Sequence, residues 1–341
     1  MTRDDLFSQQ EANRRRSFWL VTGFVVLFAW VGFGGDLGFY LLTRDAGPGG
    51  YHHTVPIIGL LATLVAGGIC WYSWRRGPDR VLWATGAREV IEPGDEAERR
   101  LVNVVEEMAI AAGLPRPRIW VVPDADPNAF ATGIAAAGAS IAVTRGLLQA
   151  LSRDELQGVV AHEMAHIRNL DIRLLTLLAA MVGAIALLSD GMGRMLRGGV
   201  RAGGGGGRSG KGGKGGNPLA LVLVALWLLT LVLAPVLSRL LALGVSRKRE
   251  YLADATGAQL TRNPMALASA LEKLGAAPEP TRAISRGAAH LCIVDPKPTR
   301  FAEQESWLAN LLATHPPIRQ RILRLKGMAY QAARTAGANR A

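Results

Sequence analysis

Residues 159–171 read Val-Val-Ala-His-Glu-Met-Ala-His-Ile-Arg-Asn-Leu-Asp, and within them stands His162-Glu163-x-x-His166. On a helix, positions four apart lie one turn above each other on the same face, so imidazoles at 162 and 166 can aim at one point. That is half of a zinc site. Glu163 projects beside the pair, where a carboxylate can take a proton from water and return it to a leaving amine. Coincidence is the competing reading: chance yields this pattern in roughly one of a few hundred chains of such composition. A helix to carry the residues, a third ligand and a cradle for a substrate decide between the two.

The helix is signalled. Ser152-x-x-Glu155 forms a capping box, and Leu156, Val159, Val160, Met164 and Ile167 give the segment an apolar face. A candidate third ligand lies in residues 246–254, Ser-Arg-Lys-Arg-Glu-Tyr-Leu-Ala-Asp, where Glu250 and Asp254 are four apart and share a helical face. A carboxylate completing the histidine pair, with a second one turn on to hold an imidazole by its free N–H, suits a zinc hydrolase. Taken alone, those residues read equally well as a solvated salt-bridge helix. For the cradle, short runs at 118–122, 129–134 and 140–144 are punctuated by Pro123, Asp126-Pro127 and Gly133 to Gly138, which predicts a small sheet. An extended peptide can pair with such a sheet's edge. On pattern alone, Asn128-Ala-Phe-Ala-Thr is as readily a turn and a packed strand.

The 341 residues suffice for two domains by length alone. Four stretches, 17–35, 54–74, 174–189 and 219–238, lack Asp, Glu, Lys and Arg. A membrane-crossing helix needs roughly 20 apolar residues, so each is a candidate span, the third being the shortest. Arg14, Arg15 and Arg16 precede the first, but it is too long for a signal peptide and no small-residue cleavage site follows, so it reads as an uncleaved anchor. Trp71, Tyr72 and Trp74 close the second as an interfacial aromatic belt would. The basic N-terminus and the arginines at 75, 76, 80 and 88 place both flanks of this hairpin in the cytoplasm. Residues 194–218 are glycine-rich with six cations and no acid, a flexible linker whose charge favours the cytoplasm while an even number of crossings puts it outside. A re-entrant hairpin is the alternative there. Cys70 and Cys292 make no disulfide framework. The net charge of +12 comes without a nucleic-acid recognition motif and fits cations held against anionic lipid.

A helix is also predicted over 95–112, opened by Asp95-x-x-Glu98 as a capping box and stopped by Gly113 and Pro115. Beyond the fourth stretch, Asn263-Pro264 starts a helix that Gly275 ends, 278–298 is loop-rich, and 301–312 is a short amphipathic helix. Thr314-His-Pro-Pro317 then opens a basic helix over 318–333. His315 is a surface histidine or, held rigid by two prolines and followed by Arg321, a donor to a developing oxyanion. The organisation is a cytoplasmic N-terminus (1–16), a transmembrane hairpin (17–74), two cytoplasmic catalytic parts (75–171 and 246–333) flanking the third and fourth hydrophobic segments (172–245), and a tail (334–341).

Four pieces together, Pro127-Asn-Ala-Phe-Ala-Thr-Gly133, His162-Glu-x-x-His166-x-x-x-x-Asp171, Ser246-Arg-Lys-Arg-Glu-Tyr-x-Ala-Asp254 and Thr314-His-Pro-Pro-Ile-x-x-Arg321, resemble the HtpX family of membrane zinc metallopeptidases, relatives of the CAAX prenyl proteases. The resemblance covers nearly the whole chain. It implies a mainly α fold with a small β-sheet (α+β), a gluzincin-like integral membrane zincin with about four transmembrane helices and a cytoplasmic catalytic domain. One Zn2+ would be held by His162, His166 and Glu250, with Glu163 as general base and Asp254 beside a zinc histidine. Asn128 and Ala129 would line the strand that binds substrate backbone, while His315 and Arg321 would stabilise the tetrahedral intermediate. Such proteins work in the bacterial inner membrane with the active site facing the cytoplasm. There they cleave misfolded or damaged membrane proteins in heat-shock-type envelope quality control. The partners expected are therefore unfolded or membrane polypeptides and the bilayer, not nucleic acid. Association with itself or with a membrane chaperone or protease stays open. A site-2-type intramembrane protease and a membrane scaffold with a vestigial zinc site are the alternatives.

Overall fold

The computed structural model describes residues 3–43, 50, 52–179, 181, 247–277, 283, 291–294 and 316–338. The glycine-rich linker, the fourth hydrophobic stretch, the 301–312 helix and His315 lie outside the described residues. The chain divides into two compact units. One gathers Met1–Ser17, Ser73–Ala180 and Ala242–Ala341, and the other Phe18–Tyr72 and Met181–Leu241.

The smaller unit holds the central parts of α1 (Arg3–Thr43) and α2 (Ile57–Ala84). Both helices are long and apolar enough to cross a membrane. They also leave large side chains open, Phe18 at 63% and Leu64 at 71%, which water would penalise and lipid would not. Each helix outruns its charge-free stretch, because the flanking arginines continue a helix as readily as leucine does. A Cβ on Gly32 would lie 2.8 Å from the Gly59 Cα, so the two helices meet backbone to backbone. Just beyond, Asp36 accepts hydrogen bonds from the Ile58 and Gly59 N–H groups at 3.1 and 2.6 Å and pairs with His53 at 2.7 Å. One helix thereby caps the other's N-terminus, satisfying donors that a helix start leaves free.

In the larger unit, β1 (Arg88–Glu89), β2 (Arg118–Val122), β3 (Ala129–Thr132) and β4 (Ser140–Thr144) form a mixed sheet in the order β1-β2-β4-β3. β2 runs parallel to β4, and the other two pairings are antiparallel. The three runs expected from sequence are present. Strand β1 was not anticipated, being only two residues long. α3 (Glu96–Ala112) is capped as expected by Asp95, whose carboxylate accepts the Glu98 N–H at 2.8 Å. The reciprocal half of the box is missing, since Glu98 turns to the Gly94 N–H and to Arg88 and Arg145.

α4 (Arg145–Ala150) leads into α5 (Arg153–Arg168), which packs against β3, α3, α6 (Arg247–Thr261) and α7 (Pro264–Gly275). α8 (Ile318–Ala338) packs on α7 and α6. Buried Leu101, Val104 and Met108 of α3, Ile141 and Val143 of β4, and Leu267 and Leu271 of α7 surround α5. Every residue of α5 from Gly158 to Ile167 is buried, three of them ionisable, so this helix is the centre of the unit and not a surface element with one apolar face.

At its start, α5 carries the full box. Ser152 Oγ accepts the Glu155 N–H, and Glu155 Oε2 accepts the Ser152 N–H at 2.7 Å. Ser269 and Lys273 of α7 donate to the same carboxylate at 2.6 and 2.7 Å. Burial alone would raise the Glu155 pKa, but Lys273, Ser269 and the Ser152 N–H together bring it down to about 2 from the ordinary 4.5. The carboxylate therefore contributes its full stability above about pH 4.5 and loses it as the pH falls toward 2. Discounted for the half-exposed lysine, that is on the order of 1–2 kcal/mol. Glu155→Gln should lower the melting temperature in detergent by several degrees at pH 7, with the difference from wild type shrinking below pH 4.

Candidate metal centre

His162 and His166 present their rings from successive turns of α5, their Nε2 atoms 3.2 Å apart. α6 lies against this helix closely enough that a Cβ on Gly257 would meet the His162 backbone nitrogen at 3.1 Å. Glu250, Asp254 and Gly257 fall at i, i+4 and i+7, so the glycine that permits the approach and the two carboxylates share one face. Glu250 consequently reaches both imidazoles, with carboxylate oxygens 3.6 Å from His166 Nε2 and 3.9 Å from His162 Nε2. Ligands bound tetrahedrally to zinc at about 2.0–2.1 Å stand about 3.3 Å from one another, close to these three separations. His162, His166 and Glu250 can thus converge on a single ion.

The outer nitrogens are held as well. His162 Nδ1 lies 3.0 Å from Asp254 Oδ1, and His166 Nδ1 lies 3.1 Å from Asp171 Oδ2. Asp254 was expected beside a zinc histidine; Asp171 was noted in the motif but given no role. Its position follows from a break after the metal helix. α5 ends at Asn169, Leu170 takes a left-handed φ of 58°, and a new helical stretch starts at Asp171. The helix therefore stops short of the hydrophobic run instead of continuing into it. From α1, Asn13 Nδ2 donates to Asp171 Oδ1 at 2.7 Å and to the Asn169 carbonyl at 2.9 Å, and Gln10 donates to the Arg168 carbonyl. No sequence signal pointed to this clamp across more than 150 residues.

Arg321 is buried at 1% exposure and forks onto Asp254, with Nε 2.9 Å from Oδ2 and Nη2 2.7 Å from Oδ1. Its Nη1 donates to the Ile293 carbonyl at 2.8 Å and lies 3.4 Å from Glu250. Burial would raise the Asp254 pKa, yet Arg321 and His162 bring it down to about 2. In His162 burial prevails and lowers the pKa, with Arg321 adding to the effect against Asp254. In His166 burial is outweighed by the Asp171 hydrogen bond and the charges of Glu250, Asp171 and Glu163, which raise it to about 9.

Glu163 differs from these. Both its oxygens are buried, and among the described residues it is the Ala131 N–H that approaches them, outside good hydrogen-bond geometry. Burial, with the Glu250 charge added and with His166 and Arg321 opposing, pushes its pKa up to about 7. Four carboxylates, Glu163, Glu250, Asp171 and Asp254, are buried with two guanidiniums, Arg249 and Arg321. With neutral imidazoles the cluster carries a net charge of two negatives, which a divalent cation balances. Donor set, separations and charge all fit zinc.

Asn128 and Ala129 begin β3 at the sheet edge. The Asn128 side chain donates to the Val294 carbonyl, and its Oδ1 accepts the Ala129 N–H. The Ala129 carbonyl accepts the Ile293 N–H at 2.9 Å, and Phe130 bridges Cys292, so residues 291–294 cover this part of the edge.

The profile of Peptidase family M48 matches residues 95–329, which include every residue of the cluster. The chain belongs to peptidase family M48. It is 38% identical to the Protease HtpX homolog of Thermoanaerobacter pseudethanolicus over 96% of this chain and 99% of that one. It is 36% identical to the Protease HtpX homolog of Streptococcus gordonii, over 95% of this chain and all of that one. Among solved structures it is similar to Ste24p of S. mikatae, with a TM-score of 0.42 and 18% identity, over 90% of this chain and 66% of the other. The His-His-Glu cluster and the two long apolar helices are those of a membrane metallopeptidase.

Removing Glu250 should remove a ligand, so Glu250→Ala should fall below one zinc per chain by elemental analysis. Asp171→Asn should weaken zinc binding about 10- to 100-fold in a chelator competition while leaving helical circular dichroism unchanged.

Proposed function

We propose that this chain is a zinc endopeptidase of the bacterial inner membrane that cleaves misfolded or damaged membrane proteins on the cytoplasmic side. The observation that carries the chemistry is Glu163. Its buried carboxylate stands next to His162 and three residues before His166, where it can take a proton from a water at the two metal-competent histidines and give it up again. Zinc, when bound, supplies Lewis acidity that polarises the scissile carbonyl and makes water easier to deprotonate. His162, His166 and Glu250 would hold it, with Asp254 and Asp171 fixing the rings. Glu163 takes the proton from the attacking water and passes it to the departing amine nitrogen.

Strand pairing supports a place for the substrate. The Ala129 carbonyl points outward, to Ile293, and side-chain direction and hydrogen bonding alternate along a strand. The next outward-facing residue is Ala131, whose N–H approaches Glu163 and opposes the rise of its pKa. An extended substrate would pair with this edge in place of residues 291–294, continuing the role expected of Asn128 and Ala129. Arg321, bound to Asp254 and Glu250, would act on the transition state through the metal shell, and His315 would donate to the developing oxyanion. The four-span topology, with both catalytic parts in the cytoplasm, rests on the distribution of arginines.

Glu163→Gln should keep one zinc per chain while cutting turnover of casein or a membrane substrate roughly hundred- to ten-thousandfold. Retained activity in that variant would remove the general base and with it the mechanism.

A further inference from the structure

At the point where α1 meets the end of the metal helix there is a cleft of about 420 Å³. Its lining includes Arg14, Arg168 and Arg173 and no aspartate or glutamate. Among the described residues, the Arg14 and Arg168 side chains have no hydrogen-bond or ion-pair partner. Arg173 spends its Nε on the Ile134 carbonyl at 2.8 Å and lies over the Trp74 ring at 5.1 Å, which leaves its two terminal nitrogens uncommitted. Burial and then the Arg14 charge lower the Arg173 pKa, so the convergence is electrostatically costly to the chain by itself. α3 and α5 both end at this cleft, but a helix C-terminus offers only about half a negative charge, too little to balance three cations.

The position along the chain limits what the balancing anion can be. Arg14 lies three residues before the charge-free run that opens at Ser17, Arg173 directly precedes the run that opens at Leu174, and Trp74 closes the run that begins at Thr54. Three apolar stretches therefore enter or leave next to this cleft, which puts it at headgroup depth. Leu114 and Leu170 supply an apolar wall beside the cations. A phosphate joined to an apolar body suits such a lining better than a free ion does.

We propose that this cleft binds the phosphate of an acidic phospholipid headgroup, held between Arg14, Arg168 and Arg173. The inference rests on the membrane placement proposed above and not on the peptidase chemistry. The turn that lines the cleft, from Ile167 to Leu170, is the one that joins His166 to Asp171. A headgroup bound there touches the segment that orients a metal ligand.

The test uses the full chain in detergent, titrated with short-chain phosphatidylglycerol, short-chain phosphatidylcholine or inorganic phosphate and read by native mass spectrometry. Wild type should bind phosphatidylglycerol at least tenfold more tightly than phosphatidylcholine. R14Q/R168Q should lose about tenfold of that affinity and R14K/R168K should recover part of it. Arg15 is equally basic and equally close to the membrane but does not line the cleft, so R15Q should stay within twofold of wild type. Both altered positions lie at the protein surface, and an unchanged zinc content and elution volume will show that the variants are folded. Equal losses in R15Q and R14Q/R168Q would reduce the effect to general juxtamembrane charge and overturn the site. So would undiminished phosphatidylglycerol binding in R14Q/R168Q. Inorganic phosphate binding as tightly as phosphatidylglycerol would assign the cleft to a soluble anion and overturn the lipid reading. None of these readouts depends on peptidase activity, so the two proposals fail separately.

Discussion

An imidazole can offer a metal only one of its nitrogens, so a two-histidine site exists only if the other nitrogen of each ring is already fixed. Here each ring has its own carboxylate, and the two carboxylates are delivered by different means. Asp254 arrives by helix packing, one turn beyond Glu250 on a face that Gly257 brings against the His162 backbone. Asp171 arrives by a chain reversal. Leu170 adopts a conformation that costs an ordinary residue about 1 kcal/mol, and the next residue is thereby turned back toward His166. Asn13 ties down the result from a distant part of the chain. The strain is local and the contacts that over-determine it are not.

Charge explains why so many polar groups can be buried in so small a volume. Arg321 is a cation held by short, directed hydrogen bonds to Asp254 and the Ile293 carbonyl, with Glu250 at 3.4 Å. Arg249 is buried too, but among the described residues its guanidinium makes no hydrogen bond and pairs with Asp171 only at 3.6 Å. A buried pair with good geometry roughly offsets its desolvation, whereas an unpaired charge does not. The two guanidiniums still leave the cluster with an excess of negative charge, which raises the pKa of His166, while that of Glu163 is raised first by its burial. With a divalent cation bound, that excess would be balanced and His166 would be free to offer a neutral Nε2.

How much of this was legible in the sequence follows the range of each interaction. The metal helix, its capping box at Ser152 and Glu155, the carboxylate pair at 250 and 254 and the three main strands are local patterns with periods of two or about four residues, and the sequence carries them openly. The Asp95 box was half right, because the nearby Gly94 N–H and two arginines from elsewhere compete for the Glu98 side chain. Asn13 carries no such signal, since nothing near it in sequence marks a partner 158 residues away. The same holds for residues 291–294, which looked like a loop and lie against a strand. Asp171 was visible as a spacing, but its role depends on one positive φ at Leu170 that no apolar periodicity encodes.

The edge of β3 shows what such a long-range contact changes. Because outward-facing groups recur every second residue, the four-residue strand offers its edge at only two positions, Ala129 and Ala131. Ala129 is engaged on both sides, by Ile293 and by the Asn128 side chain. One residue further on, past Thr132, the Gly133 N–H is taken by Thr176 Oγ1. Ala131 is buried, its N–H lies at Glu163, and the antiparallel Phe130–Cys292 bridge sets Leu291 opposite it, so residues 291–294 lie along the edge at both positions. On this geometry an extended substrate would pair with β3 only by taking over these contacts from residues 291–294. Under the peptidase function proposed above, a substrate that did so would lie alongside Glu163, and the cost of displacing that segment would set how long a paired stretch it must supply.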